Sequence, residues 1–163
     1  MINYYFGGII PSMSIDDFEI ADLEERECSF KWRAKGNCFG IAAAGMNRLI
    51  FQPVLKESSI HKYIRYDRRE SPLLIGKPVD ERDEYMYRLP GVYNSFTFNK
   101  SFKLMNKFGS AEINIKKEKG SNVLSVVKEV RVDKIMVSPD EYGEFLDFCL
   151  KLKNIEHENI IVK

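Results

Sequence analysis

Ala111-Glu112-Ile113-Asn114-Ile115-Lys116 is the stretch from which the last third of the chain can be interpreted. Its apolar and polar residues alternate with a period of two, which is typical of a β-strand with one buried face and one wet face. The next run, Val123 to Val137, keeps four apolar residues on one parity, with Lys128 as the exception: Leu124, Val126, Val130 and Val132. These runs predict consecutive strands.

A helix is predicted directly after these strands. Ser138-Pro139-Asp140-Glu141 supplies an N-cap serine, a proline at the first helical position and a glutamate at the third. An apolar stripe follows at helical spacing, made of Tyr142, Phe145, Leu146, Cys149 and Leu152. We therefore predict a mainly β fold, an antiparallel Ig-like β-sandwich, with one C-terminal α-helix near residues 139–153.

The size and charge of the chain fit one compact domain. Its 163 residues are 44% hydrophobic and carry a formal charge of +1. We predict an N-terminal extension over residues 1–15 and a β-sandwich accessory domain over residues 16–163. The balanced charge offers no argument for nucleic acid as a partner. Since no apolar run approaches the ~20 residues of a membrane helix, we expect no membrane insertion and no signal peptide.

A hairpin is predicted before the middle of the chain. Cys28, Phe30, Trp32 and Ala34 alternate with polar residues, which predicts a strand with Phe30 and Trp32 facing inward. Gly36-Asn37 is interpreted as a tight turn and Cys38 to Ala44 as the returning strand. The charged, irregular residues Lys56 to Glu70 are predicted to form a long surface connection.

Cysteine usage and motif spacing do not indicate a site. Cys28, Cys38 and Cys149 make an odd count without a CxxC pair, so neither a disulfide framework nor a zinc site is indicated. The two histidines lack a partner at familiar ligand spacing, and no phosphate or dinucleotide fingerprint is present. We predict no catalytic, metal-binding or cofactor-binding residue and no cofactor.

Four short motifs carry a resemblance to a known kind of domain. They are RESPLL at 69–74, YMYRLPG at 85–91, KFGS at 107–110 and SPDEY at 138–142. With them, the chain from about Asp16 onward resembles the C-terminal β domain of unknown function that follows the transglutaminase-like core in bacterial, Bacteroidetes-type transglutaminase or cysteine-protease-like proteins. The resemblance implies an Ig-like sandwich and suggests the periplasm or cell envelope as its location.

The function expected from this resemblance is that of a non-catalytic accessory or interaction module. Its partner would be a transglutaminase-like catalytic core or another protein. One alternative is a carbohydrate-binding or adhesion sandwich, which requires an exposed aromatic row such as Tyr85 and Tyr87. The other is a small cysteine hydrolase in which Cys38 is the nucleophile and His61 is the base, with Asp67 as a candidate orienting group.

Overall fold

The computed structural model describes residues 13–24, 29–38, 42–45, 48–93 and 97–162. The strands in these ranges are β1 Met13–Glu24, β2 Ser29–Cys38, β3 Ala42–Gly45, β4 Arg48–Phe51, β5 Leu73–Leu74, β6 Val79–Arg88, β7 Phe98–Asn106, β8 Gly109–Lys117, β9 Val123–Val132, β10 Met136–Val137 and β11 Ile160–Val162. Helix α1 spans Pro139–Glu156. Two short 3-10 helices span Ser59–Tyr63 and Gly91–Tyr93.

The backbone divides into two compact units, Met1–Ala43 and Ala44–Lys163. In the first unit β1 and β2 form an antiparallel pair, and in the second the main sheet has the order β6-β9-β8-β7. The division into an N-terminal extension over residues 1–15 and a domain over residues 16–163 stays a prediction.

The predicted turn at Gly36-Asn37 is wrong, because β2 continues through both residues to Cys38. β2 pairs with the preceding strand, with Gly36 opposite Ile15. A Cβ atom at Gly36 would lie 2.1 Å from the backbone oxygen of Ser14, so glycine is required here by a close strand approach. The Asn37 side chain donates to Asp16 Oδ2 at 2.9 Å, where the register of β1 shifts.

The predicted parity of β2 is seen in the part of the strand whose side chains are described. Trp32 and Ala34 are half-buried, whereas Lys31, Arg33 and Lys35 are exposed. The Trp32 ring stacks on Phe18 with 6.2 Å between the ring centroids. Cys28 and the Phe30 side chain lie outside the described residues.

The second unit has an antiparallel core sheet covered by α1. The inward parities of β8 and β9 match the prediction, since Ala111, Ile113, Ile115 and the four apolar residues of β9 are all buried. Phe145 of α1 contacts Phe108 edge-on, with 5.4 Å between the ring centroids. Tyr142, Cys149 and Leu152 of the predicted stripe are buried with Phe145, and Leu146 is half-buried. The helix also buries Phe148 and extends to Glu156, three residues beyond the prediction.

The short strands complete the second unit at its edges. β11 pairs with β4 and β10 pairs with β5, both antiparallel. The fold is thus mainly β and sandwich-like, with antiparallel sheets and one α-helix in the described residues, which confirms the predicted fold class. The prediction for Lys56 to Glu70 is wrong in part, because this segment contains a 3-10 helix with Ile60 fully buried and Ser58 beside it in the core.

Helix α1 begins at the predicted residue, but its cap works differently from the prediction. Ser138 is the N-cap and makes no side-chain capping bond to the helix backbone. Its hydroxyl donates instead to Glu141 Oε2 at 3.1 Å, and Lys134 donates to the same carboxylate at 2.7 and 2.8 Å. These bonds, led by the one from Lys134, lower the pKa of Glu141 to about 2.

Replacement of the N-cap serine should therefore have a small effect. We expect Ser138→Ala to change the free energy of unfolding by less than about 0.5 kcal/mol, below the ~1 kcal/mol of a serine that caps the backbone. Urea denaturation of both proteins measures this difference. A loss of about 1 kcal/mol or more would mean that the hydroxyl caps the helix in solution.

Candidate functional site

Lys128 interrupts the apolar parity of β9 and points into the core with it. Its side chain is 0% exposed. The ammonium nitrogen lies 2.8 Å from Asp83 Oδ2 and 3.4 Å from Glu156 Oε1. It also donates a hydrogen bond of 2.7 Å to the backbone oxygen of Lys56. Because a lone buried ammonium is very costly, this residue defines the place where the interior must be polar.

Glu156 brings the opposite charge from the last turn of α1. It occupies the next position of the apolar stripe after Leu152, which directs its carboxylate into the core. The side chain is 0% exposed. Its oxygens accept hydrogen bonds from Ser58 Oγ at 2.5 Å and from His61 Nε2 at 2.6 Å. The backbone nitrogen of Ser58 also donates to Oε1 at 3.2 Å.

The 3-10 helix Ser59–Tyr63 places Ser58 and His61 together. Ser58 precedes the helix with extended backbone angles, and its carbonyl accepts the backbone N–H of His61 at 3.2 Å. The two side chains can then reach one carboxylate from the same turn. The His61 side chain is 7% exposed, and its Nδ1 is buried without a hydrogen-bond partner among the described residues.

β6 contributes the remaining polar groups, Asp83 and Tyr85. Burial, and after it the negative charge of Asp83, raise the pKa of the Tyr85 hydroxyl above its ordinary range, so the phenol stays neutral. We call this set the buried polar cluster, and its members are Ser58, His61, Asp83, Tyr85, Lys128 and Glu156. Four separate segments of the second unit meet in it.

Glu156 is one of the charged members of the cluster. Burial alone would raise the pKa of this carboxyl, but the hydrogen bond from His61, the charge of Lys128 and the bond from Ser58 together lower it. The carboxylate is therefore ionised within the core. Its negative charge faces Lys128, so the interior contains a compensated ion pair.

This lowered pKa predicts acid sensitivity. In the pH range between the folded pKa and the ordinary value of 4.5, the unfolded chain binds more protons at this position than the folded chain. The stabilisation is thus fully present above 4.5 and is lost as the pH falls through the folded value. We expect the melting temperature of the wild type to fall more steeply on acidification than that of Glu156→Gln, measured by circular dichroism from about pH 7 to pH 3.

Glu118→Gln is the control for this measurement, because Glu118 is exposed on the loop after β8. Its melting curves should follow those of the wild type. Equal slopes in the wild type and Glu156→Gln would show that Glu156 is not the group whose protonation destabilises the fold.

Cys38, His61 and Asp67, the candidate residues of a cysteine hydrolase, differ in burial and in the contacts described for each. Cys38 ends β2 in the first unit, is half-buried, and has its pKa raised by burial. His61 is held by Glu156 in the second unit, and Asp67 is exposed. A nucleophilic thiol requires a lowered pKa, which is opposite to the shift at Cys38.

The aromatic pair considered for carbohydrate binding lies on the inward parity of β6. Tyr85 and Tyr87 are half-buried and alternate with exposed Glu84, Met86 and Arg88. The Tyr87 hydroxyl donates to the backbone oxygen of Pro53 at 2.6 Å, and its ring contacts Phe51 edge-on. The pair therefore does not present the solvent-facing row that this alternative requires.

The outer face of the main sheet carries an open groove of about 430 Å³. Its lining is dominated by charged side chains that pair across strands: Arg82 with Glu129, Arg131 with Asp80, and Lys103 with Glu112. Both signs alternate and compensate one another, which is typical of a solvated sheet face.

Residues described by the structure include no group of three or more His, Cys, Asp or Glu side chains arranged to hold a metal ion. No helix among them is both long enough and apolar enough to cross a membrane.

Comparison with known proteins identifies a family for the second unit. Residues 47–162 match a family described as a domain of unknown function with solved-structure structure, DUF3858. No curated protein and no solved structure matches the chain. The matched range begins three residues after the start of the second unit and ends one residue before its end, so it includes the main sheet, α1 and the buried polar cluster. Because the match spans more than two thirds of the sequence, the chain belongs to the DUF3858 family.

Proposed function

We propose that this protein is a non-catalytic accessory or interaction module that packs on, or positions, a transglutaminase-like catalytic core. The proposal that the module is non-catalytic rests on the inaccessibility to solvent of Lys128 and Glu156 in the buried polar cluster. Lys128 and Glu156 are both 0% exposed, and each is bound by groups from other segments. A catalytic acid or base has to reach a substrate, whereas the contacts of these two groups within the described residues are with each other and with their neighbours in the cluster.

The cluster is instead suited to holding segments together. It joins the end of α1, the 3-10 helix, β6 and β9 through contacts between residues distant in sequence, such as the 2.5 Å bond between Ser58 and Glu156. A network of this kind favours one arrangement of these segments, since any other would leave charges buried without partners. A rigid module with a defined surface is what a docking or positioning role needs.

The transglutaminase-like partner is supported by the sequence resemblance alone, since the matched family is one of unknown function. The test is a calorimetric titration of the purified chain with a transglutaminase-like core encoded in the same genome. We expect a saturable one-to-one complex. The same titration with an unrelated cysteine protease serves as the control, and absence of binding to the transglutaminase-like core would contradict the partner assignment.

Thiol chemistry tests the cysteine-hydrolase alternative. Burial raises the pKa of Cys149 to about 12 and raises that of Cys38 as well. We expect both thiols to react slowly with a neutral-pH thiol probe in the native protein and rapidly in denaturant, as followed by peptide mass spectrometry. We also expect no protease or transglutaminase activity from the isolated chain.

The two histidines of the chain provide matched variants for this test. His61→Ala removes the candidate base, whereas His157→Ala removes a histidine that is exposed at the end of α1. Rapid native labelling of Cys38 that is lost in His61→Ala and kept in His157→Ala would overturn the accessory-module proposal in favour of a cysteine enzyme.

A further inference from the structure

β7 forms one edge of the main sheet. It pairs with β8 from Phe98 opposite Lys117 to Asn106 opposite Gly109 without a register shift. In the part of the chain that the structure describes, no strand pairs with its other side. An edge strand of nine residues with a regular register and no proline is a template on which another strand can pair.

The opposite edge, β6, is protected and β7 is not. Asp80-Glu81-Arg82-Asp83-Glu84 places five consecutive charges on β6, and the segment from Pro53 to Ser59 binds its inward side chains. Ser59 N donates to Glu81 at 3.2 Å and Tyr87 donates to Pro53. β7 carries two charges, Lys100 and Lys103, which are paired with Glu158 and Glu112 of the same chain.

The inward side chains of β7 fit an edge that no other described strand covers. In the central strands, Ile113, Ile115, Leu124 and Val126 are between 0 and 2% exposed. On β7 the residues of the same face, Phe98, Phe102 and Leu104, are half-buried. An added strand with apolar residues on this face would cover their exposed rims.

The direction of the backbone groups on β7 follows from its hairpin with β8. The hairpin loop has two residues, Lys107 and Phe108, so Asn106 and Gly109 exchange backbone hydrogen bonds. Hydrogen-bonded and non-hydrogen-bonded pairs alternate in an antiparallel ladder. Counted backward in sequence from Asn106, every second residue therefore directs its backbone N–H and C=O groups toward β8. The residues that direct their N–H and C=O groups away from the sheet are Asn99, Ser101, Lys103 and Met105.

We propose that two copies of this chain associate through β7 in antiparallel orientation about Phe102, which makes one continuous eight-stranded sheet. This register pairs Ser101 with the partner's Lys103 and Asn99 with the partner's Met105. Both pairs lie on the outward-directed parity, so their backbone groups can exchange hydrogen bonds.

Charge and packing favour this register. Phe102 faces the partner's Phe102 in a cross-strand aromatic pair, and Lys100 faces the partner's Leu104. No two like charges are directly opposite, whereas a register centred on Lys100 would oppose two lysines. Because each copy uses the same segment, the interface is two-fold symmetric and closes after two copies.

Proline at an outward-directed position tests the interface without breaking the β7–β8 ladder. Ser101→Pro removes an N–H that points away from β8, and proline is tolerated at such edge positions. We expect light scattering after size exclusion to show a concentration-dependent dimer for the wild type and a folded monomer for Ser101→Pro. Met86→Pro is the matched control, since Met86 is an exposed edge residue on β6 and should leave the dimer intact.

Charge at the same position tests the register. In the symmetric dimer, residue 101 of each copy lies opposite the partner's Lys103. Ser101→Lys therefore creates two like-charge pairs, whereas Ser101→Glu creates two pairs of opposite charge. We expect Ser101→Lys to weaken the dimer and Ser101→Glu to strengthen it, each by about threefold to tenfold in Kd. A monomeric wild type at all concentrations, a dimer insensitive to Ser101→Pro, or equal Kd values for the two charged variants would overturn the proposal.

Discussion

Lys128→Met should lower the free energy of unfolding by about 3–5 kcal/mol, the cost of removing one partner from a buried ion pair. The substitution keeps an unbranched side chain, shorter by one heavy atom, and removes its charge. Asp83 and Glu156 then lose the ammonium at 2.8 and 3.4 Å, and the backbone oxygen of Lys56 loses its donor. The remaining carboxylates have to be protonated or stay buried with less compensation.

Urea denaturation at neutral pH measures this effect, with Lys116→Met as the matched control. Lys116 is exposed on the neighbouring strand β8, so its replacement should stay within about 0.5 kcal/mol of the wild type. The double variant Lys128→Met/Glu156→Gln should lose less than the sum of the single variants by at least about 1 kcal/mol. Strict additivity would mean that the two groups do not interact in solution.

Phe145→Ala is the second substitution with a large expected effect, because it removes a buried contact between α1 and the β7–β8 hairpin. Phe145 is 0% exposed and packs against Phe108, with a further ring contact to Tyr142 at 6.5 Å. Truncation of a core phenylalanine leaves a cavity and costs about 3–5 kcal/mol. We expect that loss in urea denaturation, with a lower melting temperature.

Leu150→Ala is its control on the same helix. Leu150 is 46% exposed, so its truncation removes little buried surface and should change the free energy of unfolding by less than about 0.5 kcal/mol. Similar losses in both variants would indicate that helix formation, and not packing on the sheet, determines the stability of this region.

The strongest sequence predictions concern elements whose pattern is local. β8, β9 and α1 lie where alternation and helical spacing place them, because one face of each is buried in the same core. The sequence also indicates that Lys128 points inward, because it is the one polar residue in a row of apolar residues of the same parity in β9. Glu156 left a similar signal, since it continues the helical stripe after Cys149 and Leu152.

The pairing of these residues was not visible in the sequence. Ser58 and Glu156 are 98 residues apart, and their contact depends on how α1 lies over the segment before β5. The prediction of a turn at Gly36-Asn37 is wrong for a related reason. Its local turn preference is overridden by the pairing of β1 with β2, in which the glycine serves a close backbone contact.

The pairing of β11 with β4 also determines when the second unit can complete its fold. Ile160 lies opposite Phe51, so the strand that closes this small sheet is synthesised after nearly all of the unit. During synthesis on a ribosome, β3 and β4 emerge early. The pairing of β4 with β11 can form only after Val162 has left the exit tunnel. Glu156 reaches Ser58 equally late. Contacts of such long sequence separation slow folding, so we expect the native sheet to form only after synthesis has passed this point.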